Sequence, residues 1–207
     1  MTDCNVMAAD NNSRKRTEAR QARMQEVLQK RQDDLTLILS NIHDPHNVSA
    51  IYRSCDAFGA SEVNLYYTST PFPALGSKSS ASARKWVTSK RHRNADALFA
   101  DLKARKFQIL ATSFGPGAKS YLEWDMTVPT AIILGNEHAG VEDELRLRAD
   151  GEIYIPMLGM IQSLNVSVAA AVILAEAARQ RQQAGLYARC RIPDDEFAKR
   201  LDEWLAK

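Results

Sequence analysis

Short continuous apolar runs alternate along this chain with longer stretches in which apolar residues recur every three or four positions. Leu35–Ile42 (LTLILSNI), Glu62–Thr68 (EVNLYYT), Phe107–Thr112 (FQILAT), Thr130–Leu134 (TAIIL) and Ile153–Met157 have the length and composition of buried strands. After Pro45, the residues Val48, Ile51, Cys55 and Phe58 share one helical face, while Ser49, Arg53 and Asp56 share the other. Pro45 disfavours helix before it, Asn47 can cap the helix after it, and Gly59 can end it. Ala95–Lys106 is amphipathic through Leu98, Phe99 and Leu102, Asn165–Gln183 is a long Ala/Val/Leu helix, and Pro193–Ala206 forms a closing helix. From about Arg14 to Arg31, helix formers with few apolar anchors predict a basic surface helix. Pro71–Ser82 reads as a loop and Ala83–Thr88 as a short Ala/Trp segment.

Strands that are apolar throughout and alternate with helices predict an α/β fold, with a mostly parallel sheet covered on both faces. No internal repeat and no clear linker interrupts it. The expected organisation is a disordered polar tail over 1–13, a basic helix over 14–34, one α/β domain over 35–187 and a C-terminal helix over 188–207.

Composition narrows the setting. With 45% hydrophobic and 25% charged residues in 207, the chain is an ordinary globular protein able to bury one substantial core. No apolar run approaches the roughly 18 residues of a membrane span, and the N-terminus lacks the pattern of a signal peptide. Cys4, Cys55 and Cys190 are widely separated and form no CxxC pair, which argues against a disulfide framework or a structural zinc site. A cytoplasmic location is expected.

The net charge of +2 points to no partner, but its distribution does. Seven basic residues between Arg14 and Arg31, among them Arg20 and Arg23, face only Glu18 and Glu26. Lys78, Arg84, Lys85, Lys90, Arg91 and Arg93 follow one another before the next acid, Asp96. Such blocks fit nucleic-acid phosphates, and equally fit a solvated face.

Neither dinucleotide nor P-loop fingerprints occur, and there is no GxSxG nucleophile elbow. The histidines lack metal-ligand spacing. His43 and His46 flank Pro45 and serve either as capping residues or as a base. Three polar clusters follow strands: Asn47 with Arg53, the Gly135–Gly140 loop with Glu137, and Gln162–Asn165. Loops at the carboxyl ends of one sheet can converge on one pocket, where Gly135, Gly140 and Gly159 would allow close backbone approach to a ligand. An apolar lining of Ile155, Met157 and Leu164 would suit an adenine ring and a thioether. Ser163 and Asn165 are good helix caps and also candidates for shaping that loop. Arg53 either pairs with Asp56 at i, i+3, worth about 0.2–0.5 kcal/mol, or serves the site.

The segments HNVSAIYRSCDAFG, ILGNEHAGV and IYIPMLGMIQSLNVSVAAAVILAEAARQR resemble the three motifs of the SpoU branch of SPOUT RNA methyltransferases, in order and with matching spacing. The likeness runs from about Arg20 to Tyr187. KRQDDL, SLNVSVA and AGLY are most similar to the branch members that methylate the ribose of a guanosine in tRNA. The resemblance implies 2′-O-methylation of guanosine 18 in the tRNA D-loop, with S-adenosyl-L-methionine as methyl donor and no metal. It further implies a deep C-terminal trefoil knot and a homodimer. By motif position, Thr112, Leu134, Gly135, Ile155, Met157 and Leu164 would line the cofactor pocket. Arg53, Asn47, Glu137, Ser163 and Asn165 would form the catalytic set. Arg53 would be central, although an arginine with a pKa above about 12 is a poor base and suits orientation and phosphate anchoring better. Arg20, Arg23, Arg84, Lys85, Lys90 and Arg91 would grip RNA. The same motifs serve enzymes that methylate ribosomal RNA, and a non-catalytic RNA-binding protein could keep the fold.

Overall fold

The computed structural model describes residues 17–75, 83–136 and 139–207. The chain divides into two compact units. One is Gln32–Leu186, and the other joins the N-terminal residues up to Arg31 with Tyr187–Lys207.

The larger unit is a seven-stranded sheet of β1 (Gln32–Ser40), β2 (Ala60–Tyr66), β3 (Thr88–His92), β4 (Gln108–Thr112), β5 (Lys119–Ser120), β6 (Thr130–Leu134) and β7 (Gly151–Tyr154). The order is β3-β2-β1-β6-β4-β7-β5, and each pairing is parallel. Its helices are α2 (Pro45–Ala57), α3 (Ala95–Ala104), α4 (Asp143–Arg146) and α5 (Val166–Gln183). Because β1 is buried on both faces, its residues alternate between two cores. Leu35, Leu37 and Leu39 pack with Val48, Ile51 and Cys55 of α2 and Ala170, Ile173 and Leu174 of α5. Ile38 packs with Leu98, Phe99 and Leu102 of α3 and Leu145 of α4. The mostly parallel α/β sheet flanked by helices is therefore present.

Two strands escaped the sequence pattern. β3 reads TSKRH, exposes its first four residues, and is held by its ladder to β2 rather than by apolar burial. β5 has only two residues. The last predicted strand is also shifted. It starts at Gly151 and ends at Tyr154, because β4 and β5 offer no partner beyond Ile153 and Tyr154. Ile155 and Met157 thereby leave the sheet.

The start of α2 corrects another expectation. Its cap is Asp44, whose Oδ1 accepts from the His46 N–H at 2.8 Å, with Pro45 occupying the first helical position. Asn47 lies inside the helix and is buried. Ser49, placed by spacing on the polar face, is buried too, whereas Arg53 is exposed. Phe58 is half-buried against the core, and Gly59 takes φ 81° as the chain leaves the helix.

Two polar fastenings set the frame of the site. Asn41, at φ 49°, accepts the Thr68 N–H at 3.0 Å and donates to Glu142 Oε1 at 2.7 Å, tying the ends of β1 and β2 to the start of α4. Arg181 of α5 is fully buried. Its guanidinium donates to Asp34 Oδ1 (2.5 Å), Gln32 Oε1 (3.1 Å) and the carbonyls of Met126 (2.8 Å) and Val128 (2.9 Å). A buried arginine is tolerable only when so fully bonded.

In the smaller unit, α1 spans residues 17–29 and α6 spans Asp194–Leu205. Met24 and Leu28 are the buried apolar residues of α1, and Arg23 and Lys30 both pair with Glu26 (2.8 and 2.7 Å). The Arg31 guanidinium lies 5.3 Å from the ring centroid of Trp204, a cation–π contact. Asp194, Asp195 and Glu196 occupy the first turn of α6, where negative charge suits the helix dipole.

Candidate functional site

A cavity of about 690 Å³ opens at the carboxyl ends of β4, β6 and β7, where strand ends leave loop backbone free. Its walls are Thr112–Phe114, Leu134–Asn136, residues 139–141, Asp143 and Arg146, Ile153–Ile155, Met157 and Ser163–Val166, closed by Ala169 and Ile173 of α5. All the residues expected to hold the cofactor, Thr112, Leu134, Gly135, Ile155, Met157 and Leu164, are among them.

The wall after β6 is shaped by backbone. Asn136 and Gly140 exchange both N–H···O bonds at 2.9 Å, and Gly140 sits at φ 70°. A Cβ on Gly135 would lie 2.0 Å from the Gly140 carbonyl carbon, so this glycine admits the protein's own backbone. Nothing crowds Gly159. The tightness of the loop itself therefore requires glycine at 135, which also lines the cavity.

Asn165 caps its helix and also reaches a second element. Its Oδ1 accepts the Ser167 N–H at 2.9 Å, capping α5, and its Nδ2 donates to Asn47 Oδ1 at 3.0 Å. This bond joins the cavity wall to α2, which explains why Asn47 is buried within its helix. Ser163 also lines the cavity. Arg53, six positions after Asn47 on α2, is not part of the wall. It makes no ion pair with Asp56 or any other described residue. Glu137 lies outside the described residues.

Sequence reasoning did not single out Asn136, Phe114, Asp143 or Arg146, which all border the cavity. Phe114 and Asn136 stand two residues beyond β4 and β6, a position that could have flagged them. Asn136 Nδ2 donates to the Asn41 carbonyl at 2.9 Å and to His43 Nδ1 at 2.6 Å, so His43 is tied to the cavity rim. Arg146 donates to Asp143 Oδ1 from Nε (3.1 Å) and Nη2 (2.8 Å), and to Glu152 Oε1 from Nη1 (3.1 Å). The Asp143 bond chiefly, with Glu152 behind it, pushes the Arg146 pKa above its already high ordinary value.

The basic block lies on one edge of the sheet. Arg84 and Lys85 are exposed on the 3₁₀ turn Ala83–Lys85, and Lys90 and Arg91 are exposed on β3. Lys78 falls outside the described residues. Lys90 is engaged with Asp101 at 2.6 Å, and Arg91 stacks on Phe72 with 5.0 Å to the ring centroid. Tyr52, the neighbour of Arg53, bonds Ser89 Oγ at 2.7 Å and so fastens α2 to β3. Burial of its ring pushes the Tyr52 hydroxyl pKa up. Arg20 and Arg23 are exposed on α1.

A tRNA (guanosine(18)-2'-O)-methyltransferase of Thermus thermophilus is 48% identical over 194 residues, 94% of this chain and 100% of its own length. Its counterpart in Escherichia coli is 46% identical over 170 residues, 82% of this chain and 74% of its own length. Among solved structures, the A. aeolicus TrmH/SpoU tRNA modifying enzyme superposes with a TM-score of 0.85 at 39% identity, covering 92% of this chain and 96% of that one. The SpoU methyltransferase AviRb from Streptomyces viridochromogenes, solved with AdoMet, reaches 0.67 at 28% identity over 74% of this chain and 62% of its own. The family profile described as SpoU rRNA Methylase matches residues 34–175, which include all the walls of the cavity, and the chain belongs to that family.

Proposed function

We propose that the chain transfers a methyl group from S-adenosyl-L-methionine to the ribose 2′-hydroxyl of guanosine 18 in the D-loop of tRNA. The observation that carries this reading is the cavity, whose walls hold every residue expected around the cofactor. Its volume is that of a small-molecule site, and its lining of Leu134, Val141, Ile153, Ile155, Leu164 and Ile173 suits an adenine ring and a thioether. Relatives at 46–48% identity carry the tRNA guanosine 18 activity in their names.

The bound cofactor supplies an already activated methyl group, so the chain's task is alignment and proton removal. The Asn165–Asn47 bond fixes the cofactor loop against α2. Arg53, exposed on that helix, anchors an RNA phosphate and orients the ribose. Glu137 and Ser163 complete the set. Arg20, Arg23, Arg84, Lys85, Lys90 and Arg91 contact tRNA backbone.

Two further elements belong to the reading. The strand order β1-β6-β4-β7, in which the chain passes inside β4 and then returns outside it, accommodates a C-terminal trefoil knot. Leu158 and Met160 are fully exposed, Ile161 is 60% and Val168 46% exposed, and a second copy of the chain would cover them as a homodimer. A partner copy would also explain why Arg53 is not a wall of its own chain's cavity. The protein acts in the cytoplasm and needs no metal.

The test incubates the protein with labelled cofactor and unfractionated tRNA and rRNA, then maps the modified nucleotide. Label on a guanosine ribose in the tRNA D-loop is expected. Label confined to rRNA would replace the substrate, and absence of cofactor binding by calorimetry would favour a non-catalytic RNA-binding role.

A further inference from the structure

Among the described residues that line the cavity, only Asp143 and Arg146 carry charge. Arg146 is already engaged by Asp143 and by Glu152, so the cluster holds one positive and two negative groups and is negative by one charge overall. Asp143 accepts both of its bonds from Arg146 on Oδ1, which leaves Oδ2 without a hydrogen bond among the described residues, on a side chain that is 76% exposed. Glu152 Oε2 is shut off from solvent with no hydrogen-bond partner. It packs beneath Gly115, where an added Cβ would lie 2.6 Å away. An unpartnered carboxylate oxygen beside a cavity whose other described walls are neutral is an uncompensated negative field.

Methyl transfer changes the charge of the molecule in the cavity. The donor carries a sulfonium, an ammonium and a carboxylate, for a net +1. When the carbon–sulfur bond breaks, its electron pair stays on sulfur, the methyl carbon bonds to the ribose O2′, and the hydroxyl proton passes to solvent. The thioether product is then a neutral zwitterion. The ammonium and carboxylate are common to donor and product, so their contacts cancel in the ratio of the two affinities, and only the sulfonium charge differs.

Resting on the assignment of the cavity to S-adenosyl-L-methionine, we infer that the Asp143–Arg146–Glu152 cluster makes this site charge-selective, holding the cationic donor more tightly than the neutral thioether product. The cluster is thus a specificity determinant that favours product release without contacting the methyl acceptor. Its arginine holds Asp143 of the cavity wall and Glu152 behind it together, and the one charge left over acts on the sulfonium.

The test is calorimetric titration of the full-length protein with S-adenosylmethionine, with S-adenosylhomocysteine, and with sinefungin, which places an amine where the donor has its sulfonium. Wild type is compared with Asp143→Asn and Glu152→Gln, both nearly isosteric, and with Arg146→Gln; thermal melting confirms folding of each. Each carboxylate substitution should lower the donor-over-product preference by about three- to fivefold, the size expected of one partly screened charge several ångströms away. Arg146→Gln should raise it, sinefungin should follow the donor, and added salt should shrink the wild-type preference. A preference unchanged in folded Asp143→Asn and Glu152→Gln would overturn the inference. Failure of wild type to bind either donor or product would instead overturn the cofactor assignment beneath it.

Discussion

Around the cavity, Thr112, Asn165 and Arg146 already have partners. Thr112 Oγ1 donates to the Ile133 carbonyl at 2.9 Å, Asn165 bonds on both of its ends, and Arg146 is bracketed by two carboxylates. Along the edge formed by α2, the 3₁₀ turn and β3, the balance is different. Arg53 and Arg84 make no ion pair among the described residues, and Arg91 rests only on an aromatic face. The first region is preorganised, so a small ligand can enter without reordering it. In the second, Arg53 and Arg84 are hydrated charges open to counterparts from outside, such as RNA phosphates.

The sharpest way to break this contrast is Arg53→Ala. It should cut methyl transfer by about a hundredfold or more, as loss of a group acting on the transition state does, while calorimetry finds cofactor binding nearly unchanged. Near-normal turnover would remove Arg53 from the reaction. Asn165→Ala attacks the preorganised side and should lower stability by about 1–2 kcal/mol through the lost cap and the orphaned Asn47. Urea unfolding would show it, together with weaker cofactor binding; unchanged stability would mean that the Asn47 bond contributes nothing.

Joint replacement of Arg84 and Lys85 by Ala should weaken tRNA binding several-fold and reduce its salt slope by about one to two. Lys90→Ala should do less, because Lys90 already pairs with Asp101. An unchanged slope in the double variant would move the RNA footprint elsewhere. The smallest effect concerns His92, at the end of β3, whose Nε2 meets Asn64 Oδ1 at 2.7 Å and whose burial lowers its pKa below 6.5. The unfolded chain takes up that proton first as pH falls. Stability is therefore present above pH 6.5 and is lost as pH drops through the lowered value. His92→Gln should flatten this acid-side loss by less than about 1 kcal/mol between pH 7 and 5, measured by urea unfolding.

What could be read in the sequence followed from burial. β1, β4 and β6 are buried almost throughout, so their apolar runs announced them. β3 did not, since a strand held by its ladder and facing solvent has no apolar signature. The cap of α2 was misplaced between two equally suitable residues, Asp44 and Asn47, although a proline prefers the first helical position and so marks the residue before it. The cavity walls after β6 and β7 were marked by polar clusters and glycines at strand ends, whereas Thr112 after β4 came only from the motif resemblance. Asp143 and Arg146 could not, because a DELR turn looks like any solvated surface until the fold sets it beside a cavity.

Gly135 has a consequence for what this chain can become. With the Gly140 carbonyl carbon 2.0 Å from where a side chain would begin, even alanine would force position 135 away from the Gly140–Val141 backbone, and all three are cavity walls. The position has an alphabet of one letter. In a saturation library selected for cofactor binding it should stand as a gap, while open Gly159, two residues beyond Met157, tolerates a wide choice.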